Sequence, residues 1–157
     1  MDEKHVENHF RKHRDKLFKK YGRKALNDLQ LDKICSGYLK SKYIGTFPQD
    51  KIPLNKEGYM IINTDREGKP GLHWVAIYST NKTFYVYDSY GRSTKSLLKI
   101  LTKKLKNKKI KIIDSDKDPE QRDAYKGKKY GSEVCGQLCC SWLFTVKDLG
   151  IKNAIKI

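Results

Sequence analysis

The stretch SEVCGQLCCSWLFTV, residues 132–146, passes from a polar loop into an apolar segment. Apolar residues recur there at spacings of three and four, which predicts a helix with one buried face. That face comprises Leu138, Cys139, Trp142, Leu143, Val146 and Leu149. Cys135 lies at the start of the helix, where the positive end of the helix dipole favours a thiolate, the nucleophilic form of cysteine. The stretch therefore predicts either a nucleophilic cysteine or a small buried one.

The composition describes a strongly basic chain of one-domain size. Its 157 residues can bury a core without disulfides or metals, and 34 basic against 18 acidic residues leave a net charge of +16. Such a charge attracts phosphate polymers and anionic surfaces. The four cysteines show no disulfide-framework spacing, so we expect reduced thiols in an intracellular compartment. The polar N-terminus is unlike a signal peptide, and no apolar run reaches the roughly 18–20 residues that cross a bilayer.

Residues 1–24 predict a basic N-terminal helix that can lie at the periphery of the domain. His5, His9 and His13 share one face of it, and two histidines at this spacing can bind a metal. No carboxylate or cysteine lies in register to complete a site. We therefore expect a solvated face and assign no metal. A second short helix is predicted in residues 25–39, with an apolar face of Leu26, Leu29, Ile34, Cys35 and Leu39.

The middle of the chain predicts a β-sheet. Residues 42–53 contain two prolines, which argues against long regular structure there, and a strand follows at 58–64. The runs LHWVAIYS (72–79) and TFYVYDSYG (83–91) are joined by TNK, which predicts a hairpin. This hairpin places His73 and Asp88 at the outer ends of paired strands, where the two side chains can approach each other.

A lysine-rich segment follows the hairpin. STKSLLKILTKKLKNKK, residues 93–109, predicts a helix with leucines inward and lysines outward, and IKII predicts a further strand. No acidic residue occurs from Ser89 to Ile113, and so long a run of one sign suggests an anionic partner. A polar loop, residues 114–131, then leads into the cysteine helix.

Three residues from these segments have the chemistry of a cysteine protease. Such an enzyme needs a thiolate, a base, a group that orients the base, and an oxyanion hole. His73 is the one histidine outside the N-terminal helix. Asp88 can accept a hydrogen bond from one ring nitrogen and so present the other nitrogen to Cys135. Backbone N–H groups at the helix start, with a side-chain amide, would form the oxyanion hole.

Four segments in order, YIGTFPQDKIP, MIINTDREGKPGLHWVAIYS, FYVYDSYGRS and SEVCGQLCCSWL, resemble the adenain-like maturation proteases of adenoviruses, virophages and polinton-type elements. The resemblance runs from Tyr43 to Leu143. It implies a papain-like α+β fold, one domain over residues 1–157, with the nucleophile helix packed on a mixed sheet. It also implies that His73 is the base, Asp88 the orienting group and Cys135 the nucleophile. Adenovirus members have glutamate at the orienting position, whereas the related proteases of ubiquitin-like modifiers have aspartate.

The chain departs from the family pattern before the nucleophile. The family places its oxyanion glutamine a few residues upstream of the cysteine, where this sequence has Lys128 and Lys129. Gln121 is the nearest upstream glutamine and is our candidate, whereas Gln137 lies inside the predicted helix. No cysteine occurs between Cys35 and Cys135, so the disulfide-linked peptide activation of adenain should be absent. Stimulation by DNA is compatible with the net charge.

The resemblance implies a thiol endopeptidase that processes capsid or core precursor proteins of a DNA virus or virophage-like element. Cleavage is expected near small residues such as glycine. We expect no required cofactor, no membrane association, a monomer, and DNA as an accessory partner. The expected location is the virion and the virus-assembly site inside the host cell, a reducing compartment, rather than the outside of the cell.

Three alternatives remain open from the sequence. The same chemistry would serve an isopeptidase that removes ubiquitin-like or SUMO-like modifiers. The lysine-rich helix would also suit a non-enzymatic, nucleic-acid-binding virion protein, although no dedicated nucleic-acid motif is present. Zinc could bind His73 with Cys135, Cys139 or Cys140, but the cysteine spacing is not that of a usual zinc knuckle.

Overall fold

The computed structural model describes residues 1–65, 73–115 and 134–157. Within these ranges the helices are α1 (Glu3–Tyr21), α2 (Asp28–Leu39), α3 (Thr94–Leu97), α4 (Lys99–Asn107), α5 (Cys135–Leu149) and α6 (Ile151–Ala154). The strands are β1 (Tyr43–Pro48), β2 (Gly58–Asn63), β3 (Trp74–Ser79), β4 (Thr83–Tyr87) and β5 (Lys111–Asp114). A 3-10 helix, Lys40–Lys42, connects α2 to β1.

The described strands form one mixed sheet in the order β1-β2-β3-β4-β5. β1 pairs parallel with β2, and β5 pairs parallel with β4, while the central pairs β2–β3 and β3–β4 are antiparallel. The register pairs Ala76 with Tyr87 and Ser79 with Phe84, which is the predicted hairpin. Helices together with this mixed sheet confirm the predicted α+β class.

Both faces of the sheet are covered by helices. Side chains alternate across the central strand β3, as the period of a strand requires. Ala76 and Trp74 pack with α1, α2 and α5, whereas Val75 and Ile77 pack with Leu101 of α4 and its neighbouring leucines. The central strands are therefore buried on both sides, and the residues that immediately flank β3 and β4 lie at the edge of a rigid core.

α1 is the predicted basic helix, and its apolar stripe is buried. Asp2 caps the helix by accepting a hydrogen bond from the backbone N–H of His5 at 2.8 Å. Val6 and Phe10 are almost completely buried in the same core as α5. The basic helix therefore docks on the core.

The predicted solvated histidine face is wrong for two of its three members. His5 is exposed, as predicted. The Nε2 atoms of His9 and His13 both contact one carboxylate oxygen of Asp148, at 2.8 and 2.7 Å. The spacing within one helix could not show this, because the carboxylate comes from α5, 135 residues beyond His13.

α5 is buried along its whole first part rather than on one face. Every residue from Cys135 to Val146 is buried, because α1, α2 and β3 all pack against the helix. Its two buried hydroxyl residues bond within the helix: Ser141 and Thr145 each donate to the carbonyl four residues earlier, at 2.8 Å. Among the described residues, no helix combines the length and the apolar character that crossing a bilayer requires.

Three local predictions are corrected by the structure. The proline-containing segment 42–53 includes the regular strand β1, in which Pro48 is the last residue of an edge strand, a position that tolerates a missing N–H. Leu29 is 74% exposed, and Leu31 is buried instead. The lysine-rich helix is divided into α3 and α4 at Leu98, whose φ of −121° and ψ of 69° are not helical.

Candidate active site

The antiparallel pairing of β3 and β4 brings His73 and Asp88 together. His73 directly precedes β3, and Asp88 directly follows β4, so both lie at the same end of the hairpin. Nε2 of His73 and Oδ1 of Asp88 are 2.5 Å apart. The His73 side chain is 7% exposed and that of Asp88 is 1% exposed. Because the pair is screened from water, each group strongly affects the charge state of the other.

Arg92 completes the surroundings of the Asp88 carboxylate. Its backbone N–H and its Nε both donate to Oδ2 at 2.9 Å, and Nη2 lies 3.5 Å from Oδ1. The backbone N–H of Gly91 also donates to the Asp88 carbonyl, which closes a turn between the two residues. One carboxylate oxygen therefore bonds mainly to arginine and the other to histidine.

These contacts favour a charged imidazolium–carboxylate pair. Burial alone lowers the pKa of His73, but the hydrogen bond to Asp88 and the nearby Cys135 thiol outweigh burial and raise the pKa to about 9. Burial alone raises the pKa of Asp88, but hydrogen bonds from His73 and Arg92 lower the pKa to about 2. A protonated imidazole next to an ionised carboxylate is the arrangement that a thiolate partner requires.

Cys135 begins α5, and its sulfur faces the residues around His73. The backbone N–H of Trp74, next to His73 in the chain, donates to the Cys135 Sγ at 3.4 Å. His73 Nδ1 is buried and has no hydrogen bond of standard geometry, although the thiol is close enough to raise the histidine pKa. In free enzymes, catalytic hydrogen bonds are often long or poorly aligned, and they tighten when substrate binds. The second ring nitrogen of His73 is thus available to the cysteine.

The first turn of α5 presents backbone N–H groups beside the thiol. The preceding residue is Val134, whose side chain accepts no hydrogen bond, and no side chain caps this helix. The first N–H groups of a helix have no partner within the helix itself. They form one half of an oxyanion hole if a substrate carbonyl lies against Cys135.

Gly136 allows α5 to approach α2 closely. A methyl group at this position would lie 3.2 Å from Leu31 Cδ2 and 3.3 Å from Leu26 Cβ, closer than ordinary contact. The adjacent Gln137 is fully buried, and its Nε2 donates to the carbonyls of Gly22 and Lys24, at 3.1 and 2.7 Å. These contacts fix the start of α5 against the connection between α1 and α2.

The other cysteines are core residues. Cys139 is fully buried, and burial raises the pKa of its thiol well above the usual value. Burial and the neighbouring Cys140 raise the pKa of Cys35 in the same direction, and the two sulfurs are 3.4 Å apart. Neutral thiols of this kind are poor nucleophiles.

The oxyanion glutamine of the sequence prediction is not among the described residues. Gln121, Lys128 and Lys129 all lie between positions 116 and 133, outside the described ranges. Gln137 is described, and its amide N–H groups are engaged with the α1–α2 connection rather than with the thiol. The structure therefore brings His73, Asp88 and Cys135 together and leaves the side-chain donor as a prediction.

The sequence analysis missed two sets of contacts. One is made by Arg92, and the other joins the His73 backbone to Thr64 and Gln49, which follow β2 and β1. Arg92 follows Asp88 by four residues in DSYGR, and a tight turn that returns a cation to an aspartate is a recognisable local signal. The carbonyl of His73 accepts from the N–H of Thr64 at 3.0 Å, and Gln49 Nε2 donates to the carbonyl of Thr64. This second chain of contacts joins segments that are distant in sequence, so no local pattern reveals it.

Comparison with known proteins agrees with this geometry. A buried histidine–aspartate pair beside a cysteine at a helix start defines a candidate cysteine peptidase site. The family model described as adenovirus endoprotease, Peptidase_C5, matches residues 42–151. The chain belongs to the adenovirus endoprotease family, and it is a cysteine endopeptidase, a hydrolase of peptide bonds. A search of curated proteins found no match.

Proposed function

We propose that the enzyme works through a Cys135–His73–Asp88 triad. The observation that supports this most directly is the buried 2.5 Å contact between His73 and Asp88 at the strand ends beside the first residue of α5. The proposed fold is papain-like, as a single catalytic domain over residues 1–157. In this arrangement the helix carries the nucleophile and the sheet carries the base.

The first half of the proposed reaction forms an acyl-enzyme. The Cys135 thiolate attacks the carbonyl carbon of the scissile peptide, and the carbonyl oxygen becomes an oxyanion. The imidazolium of His73 then gives its Nδ1 proton to the leaving amine as the C–N bond breaks. The raised pKa of His73, about 9, keeps this proton in place until the leaving nitrogen becomes basic.

The second half hydrolyses the thioester. Neutral His73 takes a proton from water, the resulting hydroxide attacks the acyl carbon, and the Cys135 sulfur leaves as a thiolate. Asp88 stabilises the imidazolium that forms again and fixes the ring through Nε2. The cycle ends with the ion pair of the free enzyme and a new carboxylate on the product.

The oxyanion in both halves would bond to the backbone N–H of Cys135 and to the side chain of Gln121. The uncapped start of α5 supports the first donor. The second rests on the family pattern. Removing one such donor typically lowers kcat by about 10²–10³, so loss of the side-chain donor should be easy to detect in kcat.

The proposed substrates are capsid or core precursor proteins of a DNA virus or virophage-like element. The match to the adenovirus endoprotease family covers most of the chain, and membership of this viral family supports a viral substrate. The corresponding location is the virion and the assembly site within the host cell. Cleavage near glycine or other small residues, a monomeric enzyme and the absence of a required cofactor are parts of the same proposal.

DNA is proposed as an accessory partner rather than the main one. Seven lysines from α3 to the first residue of β5 are exposed, while the leucines of α4 are buried, so these lysines lie away from the core. The exposed set comprises Lys95, Lys99, Lys103, Lys106, Lys108, Lys109 and Lys111. Binding through such a face should weaken steeply with salt. DNA that accelerates wild-type cleavage, but not that of a variant with Lys103, Lys106 and Lys109 changed to glutamine, would support this role.

The decisive experiment compares Cys135→Ala with Cys139→Ala. Both substitutions remove a sulfur from the same helix, but only the first removes the proposed nucleophile. Each variant is incubated with a proteome-derived peptide library, and new termini are mapped by mass spectrometry. We expect no cleavage by Cys135→Ala, with an unchanged circular dichroism spectrum, and retained cleavage by Cys139→Ala. Cleavage by a folded Cys135→Ala variant would overturn the mechanism.

A second arm separates protease from isopeptidase. A ubiquitin-like or SUMO-like conjugate is offered to the wild-type enzyme beside the peptide library. Release of modifier without peptide cleavage would favour the isopeptidase. A peptide aldehyde that forms a covalent adduct mapped to Cys135 would establish the nucleophile independently of the natural substrate.

A further inference from the structure

A second cluster of polar side chains lies where α1 meets α2 and the C-terminal part of α5. His9 and His13 extend from one face of α1, and Asp148 comes from α5. Their ligand-type atoms all lie within 4.8 Å of one another, and among the described residues this is the group of three that could bind a metal ion. None of its members belongs to the proposed triad. The two histidines precede residue 42, where the family match begins, whereas Asp148 lies within the match.

The geometry of the cluster is convergent. Nε2 of His9 lies 2.8 Å and Nε2 of His13 lies 2.7 Å from the same oxygen, Oδ2 of Asp148. The two imidazole rings are nearly perpendicular, at 79°, with centroids 5.0 Å apart. Histidines at i and i+4 of a helix are a common pair of zinc ligands, since one turn of helix aligns their Nε2 atoms.

We propose that His9, His13 and Asp148 form a binding site for one divalent transition-metal ion, with Zn²⁺ the best fit, and that the bound ion fastens α1 to α5. Two imidazoles and one carboxylate suit zinc better than Mg²⁺ or Ca²⁺, which prefer oxygen ligands. Three protein ligands leave a fourth position for water.

The required rearrangement is small. Zn–N and Zn–O distances near 2.1 Å in a tetrahedral site place neighbouring ligand atoms about 3.4 Å apart. The present contacts of 2.7–2.8 Å therefore need to open by only a fraction of an ångström. The histidine side chains are 31% and 13% exposed, so an ion can enter from solvent while the site remains partly enclosed.

Tyr38 of α2 orients the Asp148 carboxylate through hydrogen bonds from its hydroxyl group. Its hydroxyl contacts both oxygens of Asp148, at 2.8 and 2.7 Å, and its ring stacks on Phe144 of α5. Partners of this kind fix the direction of a metal-binding carboxylate, and their loss typically lowers metal affinity by about 10–100-fold. The ion would thus join α1 to α5 at a place that α2 already supports.

The test is Zn²⁺ binding, measured by titration calorimetry on the full chain. Every protein in the set contains Cys135→Ser, so that the reactive thiol does not bind the ion. We expect one Zn²⁺ per chain. His9→Gln and His13→Ala should each weaken binding at least tenfold, and Tyr38→Phe should weaken it by about 10–100-fold. His5→Ala is the matched control, because His5 is on the same helix but exposed and outside the cluster.

The variants also separate loss of a ligand from loss of the fold. Glutamine at position 9 can still donate to Asp148, so that variant should keep its melting temperature without metal while losing the stabilisation that Zn²⁺ gives. Histidine NMR signals should confirm the site: those of His9 and His13 should shift with Zn²⁺, and those of His5 and His73 should not. Equal Zn²⁺ affinity in the folded His9→Gln, His13→Ala and His5→Ala proteins, or no binding at all, would overturn the proposal. Because no activity is measured, the result is independent of the proposed catalytic triad.

Discussion

Arg92 donates two hydrogen bonds to one oxygen of Asp88, from its backbone N–H and from Nε, each at 2.9 Å. The other oxygen, Oδ1, contacts His73. The carboxylate is therefore fixed in its plane by a residue four positions away, and the plane sets the direction of the imidazole. The orientation of the proposed base, His73, thus depends on Arg92. The Arg92 side chain is 45% exposed and acts on His73 through Asp88.

Asp88→Asn should lower kcat/KM by about 10²–10⁴, because an amide can donate to His73 and select the wrong tautomer. The alkaline limb of the pH–rate profile should also move. In the wild type it should lie near pH 9, where the His73 imidazolium loses its proton, and in the variant it should lie at lower pH because the carboxylate no longer raises that pKa. Initial rates on a peptide substrate from pH 5 to 10 measure both effects.

Asp88→Glu is the matched control for this variant, since adenovirus members of the family have glutamate at the corresponding place. It keeps the negative charge, so the alkaline limb should remain closer to that of the wild type. An Asp88→Asn enzyme with unchanged rate and pH profile would show that Asp88 does not orient the base.

The stabilising effect of the His73–Asp88 pair should be confined to a pH window. Asp88 has its pKa lowered in the folded state, so its contribution is present above about pH 4 and is lost as the pH falls through about 2. His73 has its pKa raised, so its contribution is present below about pH 6.5 and is lost as the pH rises through about 9. Both shifts arise largely from the same ion pair and are not added.

The free energy of unfolding of the wild type minus that of Asp88→Asn should therefore be largest between about pH 4 and 6.5. A shift of nearly two pKa units corresponds to about 2 kcal/mol. Urea unfolding at pH 2.5, 5.5 and 9.5 measures the difference. A value that does not change over this range would mean that the pair is not ionised in the folded protein.

Arg92→Ala should reduce activity by loosening Asp88 rather than by removing a reacting group. The backbone N–H of residue 92 remains, but the side-chain donor is lost, so the pKa of Asp88 should rise above about 2. We expect a fall in kcat of about tenfold with little change in KM. The alkaline limb of the rate profile should remain near that of the wild type, because His73 and Asp88 are both still present.

Arg92→Lys tests whether charge alone is enough. Lysine retains the cation but lacks the planar donor set of arginine, so it should recover only part of the lost rate. If Arg92→Ala and the wild type have equal kcat, the turn from Asp88 to Arg92 has only a structural role.

The sequence was sufficient for the parts of the fold that local periodicity determines. The hairpin of β3 and β4 was predictable from two alternating runs and a short turn, and this placed His73 opposite Asp88. The strand β1 was not predictable, because Pro48 suggested irregular structure and only pairing with β2 makes the segment extended. α5 is buried on all sides because α1 and α2 pack against it, and both helices lie about a hundred residues or more before it in the sequence. Asp148 was missed as a partner of two histidines for the same reason.

Gly136→Ala should reduce activity more than stability. The added methyl group would lie 3.2–3.3 Å from Leu31 and Leu26, and such overpacking costs about 1–3 kcal/mol. Alanine within a helix recovers about 1 kcal/mol over glycine, so the net loss should be about 0–2 kcal/mol. The strain is relieved by moving the start of α5, which carries Cys135. Thermal unfolding and kcat/KM are measured together.

Leu31→Val in the Gly136→Ala background tests that explanation. It removes one methylene from the side chain that the new methyl group would approach, so part of the lost activity should return. Leu31→Val alone should only destabilise the protein. If the double variant is no more active than Gly136→Ala, displacement of α5 is not the cause.

Two glutamines should respond in opposite ways to substitution, and the comparison tests the assignment of the oxyanion donor. Gln137 is fully buried and donates to the carbonyls of Gly22 and Lys24, so Gln137→Ala should lower the free energy of unfolding by about 1–3 kcal/mol. Gln121→Ala should leave stability nearly unchanged and lower kcat by about 10²–10³, because a donor to the oxyanion acts only in the transition state. KM should change little.

Gln121→Glu adds a sharper test, because a carboxylate accepts but cannot donate to an oxyanion and adds repulsion. It should be at least as impaired in kcat as Gln121→Ala, with unchanged thermal unfolding. If both Gln121 variants retain wild-type kcat while Gln137→Ala, measured below its unfolding transition, loses it, the donor is Gln137 and its amide must leave the α1–α2 connection during catalysis. If neither residue affects kcat, the side-chain half of the hole comes from another donor. The lysines at positions 128 and 129, where the family has its glutamine, would then mark a change in the chemistry of the oxyanion hole.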